Sequence, residues 1–127
     1  VLLFDVDYFK TVNDSYGHDI GDQVLKEIAQ VLKNTLRATD FSARFGGEEF
    51  VVISSITTLE DAVALAERIR KAVEQTPMIE HHTVTISIGV SMVNLKDKDI
   101  HDVIRRADQA LYQAKQHGRN RVVTFRG

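Results

Sequence analysis

Residues 43–53 read Ala-Arg-Phe-Gly-Gly-Glu-Glu-Phe-Val-Val-Ile, two glycines followed directly by two acids, with strand-like sequence on both sides. Because glycine adopts positive φ without strain, Gly46-Gly47 is predicted to be the tip of a two-residue β-hairpin that covers about residues 40–54. The apolar run at 50–53 is typical of a buried strand. Taken alone, the two acids favour a tight turn with a solvated rim, whereas a cation at the tip would give them a function.

The composition is that of an ordinary soluble globular domain. The chain has 127 residues, 43% of them hydrophobic and 27% charged, which is enough for a core without disulfides or a structural metal. The net charge of −2 argues against a nucleic-acid partner, so any phosphate site must be local. There is no cysteine, which excludes thiolate metal sites and cysteine nucleophiles. No apolar stretch is long enough to cross a bilayer, and no direct membrane contact is expected.

Hydrophobic periodicity predicts the order β-α-α-β-β-α-β-α-β. The elements are a strand at about 1–7, helices at 8–16 and 21–37, the hairpin, a helix at 58–75, a strand at 83–93 with one face in the core, a helix at 100–117 and a strand at 121–125. This order contains the β-α-β-β-α-β pattern of ferredoxin-like folds, so we expect an α+β domain with a central antiparallel sheet and helices on one face. Such folds host many functions, and the fold alone decides none.

Acidic residues follow the first strand and lie in the hairpin. Asp5 and Asp7 are two residues apart and share a face at the strand end, and the predicted topology brings Asp5 and Glu48 to the same end of the sheet. Converging carboxylates repel one another unless a cation compensates their charge. Oxygen ligands without histidine or cysteine favour Mg²⁺ or Mn²⁺, completed by water and phosphate oxygens. The alternative is a group of solvated acids.

Basic and amide side chains could bind a nucleotide around these acids. Lys10 lies at a helix start, where free backbone N–H groups can also bind phosphate. Lys115 and Arg119 have i, i+4 spacing and could clamp a triphosphate, although such pairs are commonly a solvated helix face. Asn13 and Asp22 offer an amide and a carboxylate that match the guanine edge, although both types are also common in turns and caps.

These motifs coincide in one known pattern. The chain resembles the diguanylate cyclase family, the GGDEF domains, from residue 1 to about residue 125, and its fold is expected to be similar to the palm of nucleotidyl cyclases and polymerases. The matching segments are DVDYFK at 5–10, VND at 12–14, GHDIGD at 17–22, GGEEF at 46–50, TISIGV at 85–90, ADQALYQAK at 107–115 and GRN at 118–120.

The resemblance implies an enzyme that condenses two GTP molecules into cyclic di-GMP and two pyrophosphates. It requires a homodimer, because each domain binds one GTP and supplies half of the site. The implied metal ligands for Mg²⁺ or Mn²⁺ are Asp5, Glu48 and the backbone carbonyl of Val6. Glu49 is a further catalytic residue, either as a second metal ligand or as a base for the 3′-hydroxyl.

The resemblance also assigns substrate contacts. Asn13 and Asp22 would bind the guanine. Lys10, Lys115 and Arg119 would hold phosphates together with the backbone N–H groups of the turn at 8–10, which includes Phe9. Gly46 and Gly47 would let the α-phosphate approach the hairpin backbone.

An RxxD motif precedes the hairpin. Arg37 and Asp40 are by themselves an i, i+3 ion pair at a helix end. In the family this motif binds the product, so the resemblance implies inhibition by cyclic di-GMP at Arg37, Asp40 and Arg68. The alternatives are a catalytically silent domain that senses GTP or binds cyclic di-GMP, which the intact acids disfavour, and a purely structural domain.

The family domain normally starts with a further helix and is linked to an upstream sensory or receiver domain. The chain is therefore expected to be one catalytic domain, residues 1–127, of a longer protein. This domain is expected in the cytoplasm, even where the parent protein is anchored in a membrane.

Overall fold

The computed structural model of the chain describes residues 1–56, 58–79 and 82–125, which form five strands and four helices. The strands are β1 (Leu2–Val6), β2 (Phe41–Gly46), β3 (Glu49–Ile53), β4 (Ile86–Val90) and β5 (Val122–Thr124). The helices are α1 (Phe9–Tyr16), α2 (His18–Thr35), α3 (Leu59–Glu74) and α4 (Ile100–Gln116). The predicted element order is confirmed, with α2 beginning earlier than expected and β4 shorter.

The five strands form one sheet in the order β2-β3-β1-β4-β5. The first four are antiparallel neighbours in the predicted ferredoxin-like order, which confirms the α+β class. The sheet is nevertheless mixed, because β5 runs parallel to β4. The chain leaves β4, passes through α4 and returns in the same direction, as a helical crossover between strands requires. β1 lies at the centre of the sheet.

Helices cover both faces of the sheet, so the prediction of helices on one face was wrong. Leu2 packs in the larger core cluster, together with residues of α2 and α3 such as Ile28 and Ile69. Leu3 packs on the opposite face in a smaller cluster that includes Leu111 of α4. Successive side chains of a strand point to opposite faces, and all five residues of β1 are buried, as in a strand covered on both sides.

Close packing of α4 explains why β4 is buried on both faces, contrary to the predicted solvent-facing side. All five residues of β4 are buried. A Cβ atom on Gly89 would lie 2.1 Å from the carbonyl oxygen of Ala107 and 2.4 Å from the backbone nitrogen of Leu111. The helix backbone therefore rests on the strand where a side chain is missing. Gly89, which alternates with apolar residues along the strand, therefore marks a contact with α4 and not a solvent-facing side.

The hairpin turn is displaced by one residue from its predicted position. Gly46 still belongs to β2 and pairs with Glu49, so the loop residues are Gly47 and Glu48 instead of Gly46-Gly47. Gly47 has φ 44°, the backbone conformation that favours glycine. An irregularity in the ladder between Arg44 and Gly46 shifts the register, and Arg44 Nε donates a hydrogen bond of 2.7 Å to the Gly47 carbonyl. One acid is thus in the loop and the next in the sheet.

The start of α3 is capped by a side chain. The Thr58 side chain accepts a hydrogen bond of 3.2 Å from the backbone N–H of Asp61, which satisfies one of the free donors at the helix start. None of the helices in the described part of the chain is both long and apolar enough to cross a membrane.

Candidate active site

Acidic side chains meet at one end of β1. Asp5 is only 5% exposed and pairs in register with Glu49 of β3, so the two side chains lie on the same face of the sheet. Glu48 lies beside them in the loop, where its carbonyl oxygen accepts a hydrogen bond of 3.3 Å from the Val6 N–H. The central strand and the hairpin turn therefore place three carboxyl groups at the end of the sheet.

The Lys115 ammonium compensates the charge of these carboxyl groups only in part. Burial raises the pKa of Asp5, the Lys115 ammonium bonded to its Oδ2 atom opposes the shift, and Glu48 contributes to raising it. Burial, Asp5 and Asp108 raise the pKa of Glu49, again with Lys115 opposing. The Oδ1 atom of Asp5 is buried and has no hydrogen-bond partner among the described residues. An unpaired buried acceptor is costly, and a cation would satisfy it.

The donor set fits a hard divalent cation that keeps other ligands. Within residues 1–56, 58–79 and 82–125, no group of three or more carboxylate, histidine or cysteine side chains could hold a metal by itself. Magnesium commonly takes one or two protein carboxylates and completes its octahedron with water and phosphate oxygens. Asp5, Glu48 and a backbone carbonyl such as that of Val6 suit this open kind of site.

Asp7 is a structural acid, which the sequence did not reveal. Its carboxylate accepts hydrogen bonds from Thr85 Oγ1 at 2.7 Å, Ser87 Oγ at 2.6 Å and the backbone N–H of Asn120 at 3.0 Å. These bonds occupy the carboxylate and tie β1 to β4 and to the segment after α4. The signal was present in the hydroxyls of Thr85 and Ser87, which alternate along a strand and face an acid.

Basic side chains line the same cleft as the acids. The cleft has a volume of about 250 Å³ and is lined by Asp5, Val6, Asp7, Tyr8, Phe9, Lys10, Thr11, Glu48, Lys115 and Arg119. Lys115 and Arg119 do not act as one parallel pair. Lys115 turns to Asp5, whereas the Arg119 guanidinium stacks on the ring of Tyr8, 4.8 Å from its centroid. Gly46, Gly47 and Glu49 are outside the lining of this cleft.

Asn13 on α1 and Asp22 on α2 do not line this cleft. Asn13 Oδ1 is buried and has no hydrogen-bond partner in the described part of the chain. A Cβ atom on Gly21 would be 1.8 Å from that oxygen, so the missing side chain makes room for the amide. Asp22 lines a groove of about 460 Å³ between α2 and β2, together with residues such as Leu25 and Phe50.

Arg37 of the RxxD motif and Arg68 of α3 share a second charged depression, whose lining does not include Asp40. Arg37 and Arg68 line one depression of about 450 Å³, and the Arg37 side chain is 62% exposed. Asp40 is held inside the turn by Ser54 Oγ at 2.6 Å and the Arg37 backbone N–H at 3.0 Å. Burial acts to raise the pKa of Asp40, but these hydrogen bonds outweigh it and lower the pKa below its usual value. Asp40 thus holds the turn, and two arginines face solvent.

A mostly antiparallel sheet with acids on its central strand and hairpin, facing lysine and arginine, defines a palm-like domain suited to metal–nucleotide chemistry. The chain belongs to the GGDEF domain family of diguanylate cyclases, whose family model, described as diguanylate cyclase, GGDEF domain, matches residues 1–121. The predicted family and the α+β fold class are confirmed.

Relatives of known name share this domain. The chain is 48% identical over 125 residues to diguanylate cyclase A of Treponema denticola, covering 96% of this chain and 34% of that protein. It is 50% identical over 127 residues to the response regulator PleD of Caulobacter vibrioides, covering 96% of this chain and 28% of that protein. The chain therefore spans about a third of the length of these curated relatives.

Solved structures share the fold. The active GGEEF domain of a diguanylate cyclase from Vibrio cholerae matches with a TM-score of 0.93 and 41% identity, over 99% of this chain and 81% of that one. The GGDEF domain of DgcB from Caulobacter crescentus, in complex with cyclic di-GMP, matches with a TM-score of 0.90 and 34% identity, over 97% and 75% of the two chains.

Proposed function

We propose that this chain is the catalytic domain of a diguanylate cyclase that joins two GTP molecules into cyclic di-GMP and releases two pyrophosphates. The observation that carries the proposal is the cleft at the end of β1. There the buried Asp5, with an unpartnered oxygen, and Glu48 face Lys10, Lys115 and Arg119. A structural domain has no use for an unsatisfied acid beside three cations. The names of the relatives support the same reaction.

The cofactor would be Mg²⁺ or Mn²⁺, held by Asp5, Glu48 and the carbonyl of Val6. Diguanylate cyclases of this family generally depend on a divalent metal. When bound, the ion would neutralise polyphosphate charge and make the attacking 3′-hydroxyl more acidic. Glu49, whose pKa is raised by burial and by Asp5, would be suited to accept a proton or to complete the ligand set.

The remaining site residues would bind and orient GTP. Lys10, Lys115 and Arg119 would neutralise the phosphates, with help from the backbone N–H groups of Phe9 and its neighbours at the start of α1. Asn13 and Asp22 would bind the guanine edge, and the glycines at 46 and 47 would let a phosphate approach the hairpin. Each domain would hold one GTP, so two domains would face each other across a two-fold axis.

Replacing Glu48 tests this assignment. The protein should convert GTP and Mg²⁺ to cyclic di-GMP, and Glu48→Ala should reduce the rate by about 100-fold or more, because the cleft loses a metal ligand. Glu60→Ala, which removes an exposed acid from α3, is the control and should keep full activity. Chromatography of the nucleotides measures the product. Unchanged synthesis by Glu48→Ala would refute the metal assignment.

We further propose that cyclic di-GMP inhibits the enzyme at Arg37, Asp40 and Arg68. The shared depression of the two arginines supports this, since arginine suits bidentate contacts to phosphate and guanine. Calorimetric titration with cyclic di-GMP should show binding that Arg37→Ala weakens. Arg105→Ala removes another exposed arginine and should leave the affinity unchanged. A domain that binds cyclic di-GMP but never makes it would instead be a receptor.

The curated relatives are about three times as long as this chain, so we propose that further domains of the parent protein, or separate partners, control the activity. One solved neighbour is the diguanylate cyclase SiaD from Pseudomonas aeruginosa in complex with its activator SiaC.

A further inference from the structure

The segment after α4 has an unusual backbone. Gly118, Arg119 and Asn120 follow one another with φ of 119°, 64° and 47°. Glycine adopts such angles freely and asparagine tolerates them, but arginine does so only when its surroundings impose the conformation. Strained residues of this kind cluster at functional sites, where surrounding contacts hold them. Arg119 lines the cleft, so what holds this segment in place bears on the site.

Asn120 is fixed by its backbone N–H and by both polar atoms of its side chain. Its backbone N–H donates to Asp7 Oδ2 at 3.0 Å. Its side-chain oxygen accepts a hydrogen bond of 2.9 Å from Arg70, and its side-chain nitrogen donates to Glu74. Arg70 is itself paired with Glu67 at 3.0 Å, and its side chain is only 14% exposed. We name Arg70, Glu74 and Asn120 the α3 latch.

The α3 latch fixes the backbone on the C-terminal side of Arg119, through Asn120. The backbone N–H of Arg119 donates to the Ala114 carbonyl of α4 at 3.0 Å, so this residue is held by the helix end before it and by Asn120 after it. These contacts fix where the Arg119 side chain leaves the backbone, and its guanidinium lies over Tyr8 in the cleft. Arg70 and Glu74 are not among the residues that line the cleft.

We propose that the α3 latch is a positioning device that aims Arg119 at the triphosphate of bound GTP. This inference rests on the proposed function. An amide is the side chain that the arrangement requires, because it accepts from a cation and donates to an anion at the same time. Asparagine also tolerates the left-handed backbone, which glutamine does less readily. Neither property is needed for simple apolar packing of α3 against the end of α4.

A double-mutant cycle with two ligands separates positioning from general stability. The ligands are 3′-deoxy-GTP, which cannot form the phosphodiester bond, and guanosine, which lacks phosphates. Calorimetry with Mg²⁺ should show that Arg70→Ala weakens 3′-deoxy-GTP binding about ten-fold and leaves guanosine binding unchanged, because only the phosphate contact is misplaced. In the Arg119→Ala background, Arg70→Ala should have no further effect. Lys71→Ala removes an exposed cation one position further along α3 and should bind both ligands normally.

Two results would overturn the positioning role. One is normal 3′-deoxy-GTP binding by Arg70→Ala while Arg119→Ala binds weakly; the other is losses that add in the double variant. If the wild-type protein bound no GTP at all, that result would refute the proposed function, and with it the positioning role of the α3 latch.

A near-isosteric variant keeps the test independent of folding. Asn120→Asp retains the backbone hydrogen bond, tolerates the backbone angles and keeps an acceptor for Arg70, but it sets a carboxylate against Glu74. It should lose the same ten-fold of 3′-deoxy-GTP affinity, and combining it with Glu74→Gln, which offers a neutral partner, should restore binding. Normal binding by Asn120→Asp, or no recovery in the combined variant, would contradict the latch.

Discussion

Glu48 and Glu49 are adjacent in sequence but occupy different environments. The irregularity between Arg44 and Gly46 places Glu48 in the loop and Glu49 on β3, opposite Asp5. The sequence motifs predicted that acidic and basic side chains gather at this end of the sheet. They could not assign the turn, because glycines at 46 and 47 suit either position and the register depends on pairing with β3. At the residue scale, the sequence predicted which side chains gather at this end of the sheet, but not the register of the hairpin.

The ionised Asp5 side chain should destabilise the folded domain although the proposed reaction requires it. Its raised pKa means that the folded state binds the proton more tightly than the unfolded chain, so the ionised group destabilises the fold. With metal chelated, Asp5→Asn should melt about 3 °C above the wild type at neutral pH, while cyclic di-GMP synthesis is lost. The stability difference should shrink as pH falls towards 3.8, the ordinary value for Asp. Asp14→Asn, an exposed control, should show neither effect.

Gly21 should be required for the guanine pocket. A methyl group there would lie 1.8 Å from Asn13 Oδ1, so Gly21→Ala must push the amide aside. We expect guanosine affinity to fall about ten-fold, the value of a lost hydrogen bond, with some loss of stability from overpacking. Gly46→Ala, at a site with nothing within 4 Å, should keep the melting temperature of the wild type. Calorimetry and thermal melts measure both, and unchanged guanosine binding would contradict the role of Asn13.

At the scale of elements, α4 and the segment after it bring Lys115 and Arg119 to the cleft. Periodicity predicted this helix, but not that it covers a second face of the sheet. The reason is that Ser87 and Gly89 read as the polar half of an alternating strand, although one binds Asp7 and the other receives the helix backbone. Small residues contribute little to a hydrophobic pattern. The pattern therefore could not reveal that α4 packs on Gly89 because that residue has no side chain.

Gly89→Ala should therefore be among the most destabilising substitutions in the domain. The added methyl would meet backbone atoms of Ala107 and Leu111, which cannot turn away as a side chain can. We expect a loss of about 3 kcal/mol in the free energy of unfolding. Tyr112→Ala removes an exposed side chain from the same helix and should change it by no more than about 0.5 kcal/mol. Urea denaturation provides the comparison, and a mild effect at Gly89 would mean that α4 can shift.

An ion pair between Asp97 and Arg106 joins the loop before α4 to the helix, and it should control the titration of Asp97. Arg106 binds both oxygens of Asp97, at 2.5 and 2.8 Å, and also the Met92 carbonyl. The hydrogen bond from Arg106 lowers the pKa of Asp97 to about 2. The stabilisation is thus present above pH 3.8 and is lost as pH falls towards 2. Carboxyl NMR should show this low pKa, and Arg106→Gln should return it towards the ordinary value.

At the scale of the whole molecule, contacts between distant segments complete the site. Asn120 and Arg70 are 50 positions apart, and Lys115 and Asp5 are 110 apart. Such pairs leave no periodic trace, because each residue alone is compatible with an ordinary solvated surface. The sequence therefore indicated which residues could bind GTP, through the family pattern, but not the supporting contacts that hold them.

A two-domain reaction makes a distinctive prediction for mixed protein. If each domain holds one GTP and directs one of the two bond-forming steps, a wild-type domain paired with a Glu48→Ala domain can form one phosphodiester bond but cannot close the ring. Excess Glu48→Ala added to the wild type should therefore lower cyclic di-GMP synthesis and accumulate the linear dinucleotide pppGpG, resolved by chromatography. Excess Glu60→Ala should give only the cyclic product. Cyclic product alone in the Glu48→Ala mixture would show that one intact domain completes both bonds.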